Sequence, residues 1–312
     1  PQRARPQACQ PHRGLNMLAG LSHGQAVVLM VANAAMWSIA GVVTRQLESA
    51  QSFEITFWRS LFTFLSLLVL LPLTQGRDVF KGMRQGGASL WLSGVCWSVM
   101  FTAFMLALTM TTVANVLITM AMGPFFTALV ARVVLGQRID VRTAFAIVMA
   151  ALGIAWMFGA EVATQGWLGF VVALCVPLAA AVNWTVVQRA AVRGLSVDLA
   201  PGVLIGAAIS CLVTLPMSMP FQAVASDVAW LALLGLVQLA IPCLLSVACA
   251  KVLKAPEVSL LALLEVVFGI FLAWWGAGEE PSSSVLSGGL LVLGALLAHQ
   301  GLAWRERQKS SP

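Results

Sequence analysis

Ten apolar segments follow one another along this chain, and they decide its fold before any single residue is weighed. They run over 25–44, 54–73, 88–108, 113–135, 143–159, 167–187, 201–217, 228–248, 257–276 and 286–303. A helix needs about 20 mostly apolar residues to cross a bilayer. Each segment comes near that length; 201–217 is short and carries Pro216 and Pro220 at its end. Barrel strands would alternate apolar and polar residues, and these segments do not, so helices are the spanning form. Only 10% of the residues are charged against 60% hydrophobic, whereas a soluble domain carries about 25% charged residues. Too few polar side chains exist to cover a soluble core. The expected fold is an all-α membrane protein with ten transmembrane helices.

The loops are sorted by charge. Connections on one side hold Arg3, Arg5, Arg13, Arg77, Lys81, Arg84, Arg132, Arg138, Arg142, Arg189, Arg193, Lys251, Lys254, Arg305, Arg307 and Lys309. Those on the other side hold a single base, Arg45, and collect Glu48, Glu54, Glu161, Asp227, Glu279 and Glu280. Basic loops stay in the cytoplasm, so both termini are expected there, which requires an even number of spans. The net charge of +6 therefore reports topology and not a nucleic-acid footprint. Residues 1–24 read as a disordered basic N-terminal segment, with Met17 a candidate natural start, and 304–312 as a cytoplasmic tail.

The chain also repeats itself. NVLITMAMGPFFTALVARVVLGQ (115–137) aligns without a gap with EVSLLALLEVVFGIFLAWWGAGE (257–279), placing Gly136-Gln137 on Gly278-Glu279. VVTR (42–45) resembles VVQR (186–189) at the ends of spans one and six. Two five-helix units result, 25–159 and 160–303. Five is odd, so the second lies inverted relative to the first, an arrangement used by transporters to open a midplane site to alternate sides.

With these spans and these two signatures, the chain resembles the drug/metabolite transporter superfamily, in its EamA branch of ten-helix permeases. In that family spans four and nine each tend to carry a Glu-Pro pair mid-span and to end in Gly-Glu. Here the first copy keeps Pro124 but has Gly123 and Gln137 where the family has Glu. The second keeps Glu265 and Glu279 but has Val266 where the family has Pro. Arg59 in TFWRSLF matches a common family arginine. The resemblance implies a secondary permease for metabolites or amino acids in a bacterial inner membrane, often an exporter, with a cavity between the halves. It implies no cofactor.

Glu265 stands alone in LLALLEVVFGIFLAWW (260–275), about 12 Å along the span at 1.5 Å per residue. A carboxylate there costs about 2.5–3.5 kcal/mol to insert, so it should face a cavity or a partner. It could bind a substrate amine, couple transport to a proton, or merely pin span nine to a neighbour. Arg59 could draw in an anion, pair with Glu265, or reach up to the headgroups. Pro124 beside Gly123 should kink span four, a break tolerated where it lines a cavity. Asn33, Trp37, Trp97, Phe101, Asn115, Thr119, Asn183, Trp184 and Gln238 are the other candidate lining residues, with interhelical packing as the alternative role for each. Ala146, Ala150 and Gly153, with Gly289 and Gly294, suit tight packing of spans five and ten as a scaffold or a homodimer face.

Other functions fit less well. The chain has no G-x-S-x-G, HExxH or phosphate-loop motif, and His12, His23 and His299 are scattered. Six cysteines without a CxxC pair suggest neither zinc nor disulfides. An intramembrane enzyme, a primary pump and a metal site are therefore disfavoured. The expected partners are a small-molecule substrate, the lipid bilayer and a proton as coupling ion. A lipid-carrier or drug flippase of the same fold is the nearest rival.

Overall fold

The computed structural model describes residues 21–309, apart from 77, 78, 81, 82, 84, 85, 137, 138, 140, 166, 193–198, 250, 251, 254–257, 259 and 260. The N-terminal bases, the bases at 77, 81, 84, 138, 193, 251 and 254, and Gln137 thus lie outside the described residues.

Among the described residues the structure is helical throughout. Helices α1 (His23–Thr44), α2 (Ser52–Gln75) and α3 (Gly87–Met110) are single rods. Span four is two pieces, α4 (Val113–Met120) and α5 (Gly123–Leu135). Then come α6 (Val141–Gln165), α7 (Leu168–Val192) and α8 (Leu199–Thr214). Span eight joins α9 (Ala225–Leu233), a π-helical stretch (Leu234–Ala240) and α10 (Ile241–Cys249). The last two spans are α11 (Leu264–Ala277) and α12 (Ser283–Lys309). Six helices are long and apolar enough to cross a membrane, and four shorter apolar ones accompany them: Thr143–Met157, Pro201–Met217, Leu264–Ala277 and Ser283–His299. The ten apolar segments read from the sequence thus appear among the described residues as ten apolar helical stretches, six of them long enough to cross a membrane.

The molecule is apolar on its outside too. Val28, Val133, Phe145, Trp156, Trp275 and Leu290 are exposed, which a soluble chain would avoid and a lipid-facing one requires. Trp91, Trp167, Trp230 and Trp274 are also exposed, as interface anchors should be.

Spans pack in a pattern with internal counterparts. The helix α1 lies against α11, as α7 lies against α4 and α5; α3 lies against α8, as α2 lies against the π-helical stretch. Corresponding spans also meet each other: α2 with α8, α4 with α11, α6 with α12. Close packing of α6 and α12 follows from their small residues. Ala146 and Ala150 are buried, and a Cβ on Gly153 would stand 2.8 Å from the Gly288 carbonyl oxygen. Gly289 packs over Ile118, whereas Gly294 meets nothing.

Four acidic or basic groups gather one end of the bundle. Asp227, fully buried at the start of α9, accepts from the backbone N–H groups of Glu48, Ser49 and Ala50, each at 3.0 Å. Glu54, buried in the first turn of α2, accepts from Gln222 N at 3.0 Å, from Ala223 N at 2.9 Å and from the Trp58 indole at 3.3 Å. Each carboxylate holds the loop that leads into the other's helix. Arg45, just past α1, donates from Nε to Glu279 Oε2 at 2.8 Å, from Nη1 to Leu108 O at 2.6 Å and from Nη2 to Thr111 O at 2.8 Å. The second Glu279 oxygen accepts from Val113 N, the first residue of α4. The charge-sorted loops of the sequence therefore contain, on the acidic side, two pairs of caps. Their members tie the ends of α1, α3 and α11 to the starts of α2, α4 and α9.

Candidate functional site

The π-helical stretch is what builds the site. Gly235 passes close beneath α2: a Cβ there would lie 2.6 Å from Phe62 Cβ and 2.9 Å from Arg59 O. Only glycine allows that approach, and it brings Gln238, one turn on, alongside Arg59. Wide π turns inside α-helices are frequent at functional sites. Gln238 Oε1 accepts from Arg59 Nη2 at 2.7 Å and from Nε at 3.2 Å, while Gln238 Nε2 donates to Trp37 O at 3.2 Å. The guanidinium lies 5.6 Å from the Phe104 ring centre and 5.9 Å from that of Phe101, within cation–π range. Arg59 is 2% exposed. It points into the bundle and does not reach the headgroups.

Beside Arg59 opens a cavity of about 200 Å³, lined by Trp37, Arg59, Trp97, Met100, Phe101, Phe104, Met120, Val176, Gln238, Leu239, Cys243 and Glu265. Three of its polar groups are unsatisfied. Arg59 Nη1 and the Trp97 indole Nε1 are buried donors without an acceptor. Glu265 is half-buried, has no hydrogen-bond or ion-pair partner among the described residues, and does not pair with Arg59. Buried polar groups are normally satisfied, and each exception asks for an explanation. Two convergent donors and one unpaired carboxylate in an aromatic-walled space can hold a small solute by opposite charges at its two ends.

Both walls that carry the repeat signature are broken helices. Ala121 and Met122 form a turn between α4 and α5, and Pro124 sits in the first turn of α5, where a missing N–H is tolerated. The proline cannot donate to Met120 O, one turn back, and Met120 lines the cavity. At the aligned place in span nine Leu263 is a turn, and α11 restarts at Leu264 with Glu265 in its first turn. Both spans close with a left-handed glycine, Gly136 (φ 67°) and Gly278 (φ 65°).

Of the residues singled out in the sequence, Glu265, Arg59, Trp37, Trp97, Phe101 and Gln238 line this cavity together. The others do not. Asn33 is buried and donates to Ser246 Oγ at 2.9 Å. Asn115 is buried and donates to Thr111 Oγ1 at 3.1 Å. Asn183 accepts from Ser93 Oγ at 2.6 Å, which joins α7 to α3. Thr119 is fully buried with its hydroxyl unpartnered. Pro124 and Trp184 are exposed on the outside of the bundle. Met100, Phe104, Met120, Val176, Leu239 and Cys243 complete the lining and carry no sequence signal, since inside a span they look like packing. A periodicity register for span eight could not have found Gln238's partner, because the π turn shifts it.

Comparison with known proteins bears on the fold around this site. Residues 24–159 match the EamA-like transporter family. No curated protein matches. A solved structure, described only as a crystal structure of a protein, covers 91% of this chain and 99% of its own with a TM-score of 0.54 at 19% identity. At that identity it establishes the fold alone, and it does so across both halves.

Proposed function

We propose that the chain is a secondary transporter, an exporter of small metabolites such as amino acids, working by alternating access at the cavity between two inverted five-helix repeats. It would sit in the inner membrane of a bacterium with both termini in the cytoplasm. The observation that carries this reading is the cavity, walled by spans of both halves, with Arg59 and Trp97 donors unsatisfied and Glu265 unpaired. A solute with a carboxylate and an amine satisfies all three. The volume of about 200 Å³ is below the roughly 300–1,000 Å³ of drug-sized pockets, which favours an amino-acid-sized solute over a lipid carrier. Matched packing of corresponding spans, the breaks at 121–122 and 263, and the two left-handed glycines support the repeat. No phosphate-loop motif occurs, which leaves ion coupling or exchange; Glu265, the carboxylate in the cavity lining, is assigned as the site where a proton couples to transport.

The experiment is flux into proteoliposomes from a metabolite panel, amino acids first, with and without a pH gradient. Glu265→Gln should lose pH-driven uptake and leave solute exchange measurable, since the amide oxygen still accepts from the solute amine. Unchanged pH-driven flux removes the coupling role, and a panel in which nothing moves removes the transporter reading.

A further inference from the structure

Two helix ends far apart in the sequence are locked together at the acidic end of the bundle, and among the described residues the other repeat shows no charged counterpart of the lock. The cavity draws its lining partly from α1 (Trp37), α3 (Phe101, Phe104), α4 (Met120) and α11 (Glu265). These are the same four helices that Arg45 and Glu279 bind at the acidic end. Arg45 takes the Leu108 and Thr111 carbonyls at the end of α3 and the Glu279 carboxylate just past α11, while it terminates α1 itself. Glu279 in turn accepts from the first N–H of α4. The two side chains are only partly exposed, at 29% and 16%, so water and salt screen the pair less than a surface bridge.

In the aligned repeat, Arg189 stands where Arg45 does, but Gln137 stands where Glu279 does. A neutral amide cannot form the ion pair, and Arg189 is exposed. We infer that Arg45 and Glu279 form a latch that holds the acidic end of the cavity shut, and that its one-sidedness biases the protein toward opening at the basic end. The inference rests on the alternating-access reading. A latch of this kind must break in each cycle, since the four helices cannot part at that end while Arg45 bridges them. Charge-assisted hydrogen bonds are strong enough to set such a population and weak enough to yield to a ligand.

Cys243 lines the cavity and is a built-in reporter that needs no knowledge of the solute. The test uses the full chain with Cys243 as its one remaining cysteine, in sealed vesicles of either orientation, and a membrane-impermeant maleimide. Glu279→Gln should speed labelling from the acidic side by about tenfold or more, the shift expected for one lost charge-assisted hydrogen bond. Arg45→Lys keeps the charge but cannot reach three acceptors at once, and should give an intermediate rate. Asp227→Asn, which loosens a cap at the same end without touching the latch, should leave labelling slow. Unchanged labelling in Glu279→Gln overturns the latch, as does equal acceleration in Asp227→Asn, which would mean general loosening. If Glu279→Gln does not fold, the Arg45→Lys comparison decides alone. Labelling is independent of flux, so an inert solute panel with latch-dependent labelling leaves the latch standing and counts against the transporter reading only.

Discussion

Arg59→Met should leave the protein within about 2 kcal/mol of its parent stability, although Arg59 is among the largest fully buried side chains. Removing the guanidinium forfeits hydrogen bonds that converge on one Gln238 oxygen, about 1.5–3 kcal/mol for a charge-assisted contact. It forfeits two ring contacts of about 0.5–2 kcal/mol each. It leaves Gln238 Oε1 without a donor, about 1–3 kcal/mol more. Against this, a buried cation without a counter-ion costs several kcal/mol even after relaxation. Arg59 has no carboxylate in pairing range among the described residues, and its Nη1 is buried without an acceptor. Methionine adapts its shape to the vacated space. The two sides nearly cancel. Unfolding in detergent micelles, followed by tryptophan fluorescence, measures the difference. An arginine in a fully satisfied buried network would cost about 3–5 kcal/mol on disruption. A loss of that size would mean that the charge is paid for within the protein, and the argument that the cavity awaits an anion would fail. Transport should be lost in the same variant whatever its stability.

Two further outcomes test the frame around the site. Gly153→Ala forces a Cβ against the Gly288 carbonyl and Val292, so its unfolding midpoint should fall by the equivalent of about 1–3 kcal/mol; Gly294→Ala, where nothing lies within 4 Å, should not lower it. A single cysteine at Glu280 should be labelled by an impermeant reagent from the periplasm and one at Arg189 from the cytoplasm, both positions being exposed; labelling of both from one side would refute the charge-derived topology.

Much of the architecture was legible because lipid imposes a coarse rule. A span must be apolar for about 20 residues, so span limits read off the sequence differ from the helices by a few residues in most cases, for instance 88–108 against Gly87–Met110. Intramembrane polar residues were legible as a set but not in their roles. Asn33, Asn183 and Gln238 are all buried amides in spans. Two of them tie helices together and one holds Arg59, and only the tertiary partner distinguishes them. Pro124 was legible as a break yet not as an outward-facing one, because the break needs only the missing N–H and is indifferent to where the ring points. The acidic-end caps escaped notice for a different reason. Glu54 and Asp227 counted toward topology as charges, and nothing in the sequence says that each would satisfy the backbone of a loop more than 160 residues away.

The buried and half-buried charges among the described residues fall into two populations, and the division carries the functional argument. Glu54, Asp227, Arg45 and Glu279 are compensated: every one accepts from or donates to several groups at the acidic end. Arg59 and Glu265 share a cavity and are left short of partners. Stability alone would select against the second pair, since apolar side chains of similar volume cost nothing to bury. It is retained at a depth where insertion is expensive, beside a π turn and two broken helices, each of which also departs from the most stable geometry. Such departures persist where a ligand makes up the deficit. A solute that binds both groups would relieve their desolvation in the occupied state alone. The same event would supply the free energy to release Arg45 from Glu279. Binding at the cavity and opening at the acidic end would thereby be coupled through α2, which carries Glu54 and Arg59, and through α11, which carries Glu265 and leads directly into Glu279.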